Sequence, residues 1–181
     1  MNVTTPKAQR AEILIHKNEY YALEDNTVID HTDKPAKLFN DVIDYIEKGQ
    51  ISVSSGVYEL EEPIEINTSG IEINCYGNCG DLYFSNDDTY YGYRNKMPVS
   101  FVAENFDAFQ IGKEDFNQGI SLKNMLITGI KEEGTMKDEI FSKGSGIKVI
   151  RSNTLNLENI QVMRKKEGLQ FETNETFAYD N

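Results

Sequence analysis

The stretch Gly56-Val57-Tyr58-Glu59-Leu60-Glu61-Glu62-Pro63-Ile64-Glu65-Ile66, with Gly70-Ile71-Glu72-Ile73 just after it, decides how the chain is read. Apolar and polar residues alternate with a period of two, and Gly56, Pro63 and Gly70 interrupt the runs. Each run therefore predicts a short strand with one buried face, and short strands in succession need a sheet to join. On the N-terminal side, Leu38, Phe39, Val42, Ile43 and Ile46 fall at i, i+1, i+4, i+5 and i+8, marking one face of a helix over residues 34–48. Asp33 stands at the N-cap position, and Pro35 sits in the first turn, where its missing N–H costs nothing. Gly49 can take the left-handed conformation that ends a helix. Nothing beyond Gly49 repeats the helical period over a comparable length, so the chain reads as mostly β with one helical cover.

An internal repeat narrows the class. Ile120-Ser121-Leu122-Lys123-Asn124-Met125-Leu126-Ile127 lines up with Leu155-Asn156-Leu157-Glu158-Asn159-Ile160-Gln161-Val162, and Gly146-Ile147-Lys148-Val149 with Gly168-Leu169-Gln170-Phe171. The 22-residue offset of the second pair is compatible with one turn of a solenoid. The longer offset of the first pair predicts an insertion over residues 129–144, where Lys131, Glu132, Glu133, Gly134, Lys137, Asp138 and Glu139 end the alternation.

The order of helix, Ile51-Ser52-Val53, Gly56-Val57-Tyr58-Glu59-Leu60, Pro63-Ile64-Glu65-Ile66 and Ser69-Gly70-Ile71 resembles the opening of the pectate-lyase-like, right-handed parallel β-helix superfamily. The Leu-x-Asn-aliphatic-x-aliphatic repeats look like its coils, and the resemblance covers residues 31–174. It implies an all-β solenoid, a right-handed parallel β-helix with an N-terminal capping α-helix. Residues 1–30 would form an irregular arm to which Ala11-Glu12-Ile13-Leu14-Ile15 adds a strand. Residues 31–181 would hold the cap helix and first coils, with the C-terminal side truncated or covered by another subunit. Asn124 and Asn159 occupy the same place in the repeat, and they are expected to form a side-chain ladder at the bends, where Asn tolerates left-handed φ. One fold of this kind carries many functions.

Eighteen basic and thirty acidic side chains give a formal charge of −12, which repels phosphate backbones and anionic lipid and excludes nucleic-acid and membrane-surface roles. No apolar run approaches a membrane-spanning length. Met1-Asn2-Val3-Thr4-Thr5-Pro6-Lys7 has no apolar core, so with Met1 as the native start no secretory signal is expected. The sequons at Asn2, Asn67 and Asn174 then read as chance. Cys75 and Cys79 lack the further Cys or His of a zinc site and read as two reduced thiols in a turn, with a disulfide as the alternative where the turn brings their Cα atoms within about 7 Å.

Several chemistries are missing from the sequence. There is no Gly-x-Ser-x-Gly elbow, phosphate-binding loop or dinucleotide fingerprint. His16 and His31 lie before the helix and read as surface or capping residues. Carboxylate chemistry or binding remains. The candidate acids are Asp81, Asp87, Asp88, Glu104, Asp107, Asp138 and Glu139, with Arg151 or Arg164 as cations, and no spacing singles out a pair for glycoside hydrolysis. Asp87-Asp88-Thr89-Tyr90-Tyr91-Gly92-Tyr93-Arg94 combines aromatic rings with carboxylates and a cation, a mix suited to sugars. Asp87, Asp88, Tyr90, Tyr91, Tyr93 and Arg94 are thus the expected substrate-binding residues.

The resemblance implies a glycan-recognising component of a phage or prophage tail spike that binds, and in a further reading degrades, bacterial surface polysaccharide, as a homotrimer or with other virion subunits, in the virion or outside the cell. The alternatives are an N-terminal piece of a secreted polysaccharide lyase or glycoside hydrolase, and a non-enzymatic adhesin or structural spike. No cofactor is expected, apart from the Ca²⁺ that the resemblance alone implies.

Overall fold

The computed structural model describes residues 9–77, 98–113, 116–129 and 142–172. Strands β1 (Gln9–His16), β2 (Glu19–Glu24) and β3 (Thr27–Thr32) precede helix α1 (Pro35–Ile46). Then come β4 (Gly49–Ser54), β5 (Gly56–Glu59), β6 (Ile64–Ile66), β7 (Ile71–Tyr76), β8 (Val99–Val102), β9 (Phe109–Ile111), β10 (Ile120–Thr128), β11 (Ser142–Val149), β12 (Leu155–Met163) and β13 (Lys165–Phe171). They form a mixed nine-stranded sheet, ordered β3-β2-β1-β4-β7-β10-β8-β5 with β12 on β10, and a parallel four-stranded sheet, β13-β11-β9-β6.

This arrangement corrects the expected fold class. The chain is not a closed solenoid or right-handed parallel β-helix: its large sheet is mixed, with an antiparallel meander of β1, β2 and β3 joined to the parallel strands, and its strands divide between two sheets. Period-two alternation reports which face of a strand is buried, but carries no information on strand direction or on how sheets close. The direction of the first strands is set by two tight turns. Lys17-Asn18 and Asp25-Asn26 all have positive φ, from 49° to 65°, the conformation of the two-residue turns that join antiparallel strands. Residues 9–32 are therefore ordered strands rather than an irregular arm.

The repeats of the sequence are direct neighbours in space. Ile120 pairs with Leu155 and Ile127 with Val162 in parallel register, while Ile147 pairs with Leu169 and Val149 with Phe171. Asn124 and Asn159 have φ of 61° and 54° and divide their long strands into two segments, so that residues 121–123 pair with β7 and residues 125–128 with β8. The expected ladder is present and one rung longer. Asn159 Nδ2 donates to Asn124 Oδ1, and Asn124 Nδ2 donates to Asn74 Oδ1, both at 3.0 Å.

The helix is half determined by its own sequence and half by the chain that follows it. Its apolar face, Leu38, Phe39, Val42, Ile43 and Ile46, is buried as the periodicity requires. Phe39 meets Tyr58 and Phe101 edge-on at centroid distances of 5.8 and 5.5 Å, and Phe101 meets Phe109 at 5.1 Å, so one aromatic cluster ties α1 to β5, β8 and β9. The N-terminus is capped differently from expectation. Lys34 takes the cap position without a side-chain bond, and the Glu61 carboxylate accepts the N–H groups of Ala36 and Lys37 at 3.1 and 2.9 Å. A carboxylate from another segment thus satisfies orphan donors and complements the helix dipole.

The helix returns the favour at the edge of the small sheet. Asn40 Oδ1 accepts the N–H of Glu65 at 2.8 Å and its Nδ2 donates to the carbonyl of Pro63 at 3.2 Å, so one amide side chain occupies the place of a neighbouring strand beside β6. Glu47, with φ of 50°, ends the helix in place of Gly49. Gly49 serves another need: at φ 153°, a Cβ there would stand 2.0 Å from the Gln9 carbonyl oxygen, so its bare backbone admits β1.

Replacing Asn40 by Ala leaves two backbone groups of the β6 edge without partners and should cost about 1–3 kcal/mol in urea unfolding. Lys37→Ala removes only an exposed i,i+4 pair with Asp41 and should stay within roughly 0.5 kcal/mol of wild type.

Candidate functional site

The sheet's solvent face is a lattice of polar side chains held in register. Gln50 Nε2 donates to Glu72 at 2.8 Å, Lys123 Nζ lies 2.9 Å from Glu72 and 3.9 Å from Glu158, and Asn156 Nδ2 donates to Ser121 Oγ at 3.2 Å. At the N-terminal side this lattice gives way to a cleft of about 420 Å³. Its lining is Arg10, Ala11 and Glu12 of β1, Leu23 of β2, Asp25 and Asn26 of the following turn, Ser52 of β4 and Tyr76 of β7. Parallel register places Glu12 beside Ser52, and the left-handed turn lifts Asp25 and Asn26 to form the rim.

Tyr76 is the aromatic wall, 41% exposed. Its hydroxyl donates to Glu12 Oε1. Partial burial, then the hydrogen bond to Glu12 and the charge of that carboxylate, push the phenol up to about 12, so it stays a neutral donor throughout the physiological range. Among the described residues Arg10 forms no ion pair within 4 Å. The cleft therefore offers a cation, two carboxylates, an amide, a hydroxyl and an aromatic face within one concavity. Such a set has the chemistry to take hydroxyl-bearing ligands through polar contacts and ring stacking.

The residues expected from sequence are distributed otherwise. Asp87, Asp88, Tyr90, Tyr91, Tyr93 and Arg94 lie outside the described residues, as do Asp81, Asp138, Glu139 and Cys79. Glu104 is exposed. Asp107 is committed to structure: its Oδ1 accepts the N–H of Ser145 at 2.7 Å and its Oδ2 the amide of Gln110 at 3.0 Å. Arg164 holds the left-handed bend between β12 and β13, with φ of 55°. His31 stacks on Tyr21 at 5.7 Å, and His16 meets the same ring edge-on at 6.3 Å, a surface role for both. Cys75 is a buried free thiol whose pKa is raised by burial, far from nucleophilic. No group of three or more His, Cys, Asp or Glu suited to a metal occurs among the described residues, and no helix there is long and apolar enough to cross a membrane.

The sequence reading missed one buried charge. Lys165, only 5% exposed, donates to the carbonyls of Ala103 at 2.8 Å, Phe106 at 2.6 Å and Lys143 at 3.0 Å. Three ammonium protons meet three carbonyls, so the side chain staples the 103–106 turn to β11 and β13. Burial lowers its pKa to about 8, opposed by the charge of Asp107. A single Lys in the run Lys165-Lys166-Glu167 gives no local sign of this, because the three acceptors come from distant segments.

Comparison with protein-family models, curated proteins and solved structures finds no match to this chain.

Lys165→Met should lose about 1–3 kcal/mol at pH 7 through unsatisfied carbonyls. Because the folded pKa lies below the unfolded 10.5, the folded state binds fewer protons between about pH 8 and 10.5, and wild-type stability should rise relative to Lys165→Met across that window. Paired denaturant titrations of the two proteins from pH 7 to 10.5 check both signs.

Proposed function

We propose that this chain is a glycan-recognition component of a virion or extracellular surface assembly, and that its ligand is a bacterial surface polysaccharide. The observation that carries the reading is the cleft at Tyr76, where a solvent-facing ring stands against Arg10, Glu12, Asp25, Asn26 and Ser52. A saccharide ring presents axial C–H groups to an aromatic face and hydroxyls at its rim, and hydroxyls both donate and accept. Glu12 and Asp25 supply acceptors, Arg10 supplies donors, and the Asn26 amide supplies both. The chain's net charge of −12 disfavours polyanionic nucleic acid as the occupant. Arg10 on the cleft lining still provides a local partner for a single uronate or other acidic sugar. The positioning is rigid, since Arg10, Glu12, Ser52 and Tyr76 all stand on sheet strands rather than loops. The reading assigns recognition, and no reaction follows from it.

Calorimetric titration with a panel of neutral and acidic bacterial oligosaccharides tests the reading. Saturable binding is expected, at least tenfold weaker in Tyr76→Ala and close to wild type in Tyr76→Phe, which keeps the ring face. Absence of saturable binding across the panel, or unchanged affinity in Tyr76→Ala, overturns it.

A further inference from the structure

The two ends of the strand stack are treated very differently. At the start, Asn40 closes the β6 edge and the helix lies over β5 and β6. At the other end, among the described residues, β12 and β13 are edge strands, each paired on one side only, to β10 and β11. Burial follows the same asymmetry. Ile147 and Val149 are 1% and 3% exposed, whereas their register partners Leu169 and Phe171 are 42% and 62% exposed. Leu155, Leu157, Ile160 and Val162 of β12 are half-buried, although their partners Ile120, Leu122, Met125 and Ile127 are buried. The apolar pattern of the last strands is thus the pattern of an interior layer with one side uncovered.

The asparagine ladder says what kind of neighbour fits. Each amide donates backwards, Asn159 to Asn124 and Asn124 to Asn74, which leaves the Oδ1 of Asn159 as the terminal acceptor, with no donor among the described residues. The ladder has a polarity. A second copy meeting this edge about a two-fold axis would bring two terminal acceptors face to face, an unfavourable rung. A segment that arrives in parallel, with an amide donor at the same register position, continues the row.

We propose that the β12–β13 edge is a strand-acceptor surface, which binds a partner polypeptide segment in parallel register through alternating aliphatic residues and an amide side chain opposite Asn159. Main-chain hydrogen bonds to the open side of β12 would supply affinity, and the aliphatic and amide positions would supply specificity, as in strand addition generally. The juxtaposition of half-buried Leu157, Ile160 and Val162 with an acceptor-terminated ladder selects for aliphatic-x-aliphatic-x-Asn-aliphatic-x-aliphatic, a class of partner the neighbouring strands β10 and β12 themselves exemplify.

The test uses the full chain and a fluorescently labelled peptide with the sequence of Leu155–Met163, Leu-Asn-Leu-Glu-Asn-Ile-Gln-Val-Met. A control peptide carries Asp in place of its second Asn, an isosteric side chain that accepts but cannot donate at neutral pH. Saturable anisotropy is expected for the Asn peptide, together with new protection of β12 amides in hydrogen exchange, and binding at least tenfold weaker for the Asp peptide. Absence of saturable binding by the Asn peptide overturns the proposal, and so does equal affinity of the two peptides. A concentration-dependent dimer of the chain that excludes the peptide overturns it too, since the edge would then be closed by a second copy.

Discussion

A parallel sheet cannot satisfy its own outermost strands, and this single constraint governs the molecule. Each edge presents a row of backbone donors and acceptors that must meet water or a substitute. At the N-terminal side of the stack the substitutes are explicit. The antiparallel meander extends the large sheet past β4, and the helix covers the start of the smaller one. Asn40 and Glu61 exchange services: the helix supplies an amide to the β6 edge, and the loop before β6 supplies a carboxylate to the helix terminus. Neither element is complete alone. Gly49 belongs to the same arrangement, because β1 can reach β4 only where the backbone carries no side chain.

Much of this was legible in the sequence where the governing interactions are local or periodic. The buried face of the helix and the inward residues of β4 to β7 followed from spacing, and the paired asparagines from the internal repeat read with the resemblance. The fold class did not follow, because alternation is blind to strand direction. The signal that would have exposed the meander was present in Lys17-Asn18 and Asp25-Asn26, two turn-forming dipeptides between alternating segments. Other errors share a cause in distance along the chain. Asp33 was the reasonable local cap, but Glu61 fills the role from a segment twenty-five residues away. The role of Lys165 has no local sign, because its three carbonyl partners come from the 103–106 turn and from β11, far away in the chain. The cleft at Tyr76 was invisible for the same reason, since its wall and rim come from four strands and a turn that only the sheet brings together.

The charged groups divide into two physical regimes. On the solvent face Lys37, Lys113, Lys123 and Lys148 pair with carboxylates while remaining partly exposed, and such pairs keep a surface soluble and ordered without adding much stability. Lys165 is the opposite case. Its ammonium has given up water for three fixed carbonyl dipoles, and its removal would leave those carbonyls stranded. The smaller sheet is thus held at its open side by polar contacts rather than by apolar burial, which accounts for how Leu169 and Phe171 can stay exposed while β13 remains in register.

Strand β10 meets β7 through its first half, β8 through its second and β12 along its whole length, with partners 49, 26 and 35 residues away in the chain. No hairpin can form it early, and its place exists only after two earlier segments have been laid side by side. Loop closure over such separations must precede any gain from pairing, which makes the assembly of this sheet a slow, sequential process. Until β10 is seated, β7 and β8 each have an unmet edge, so the central strand sets the time for which a newly made chain is open to the wrong neighbour.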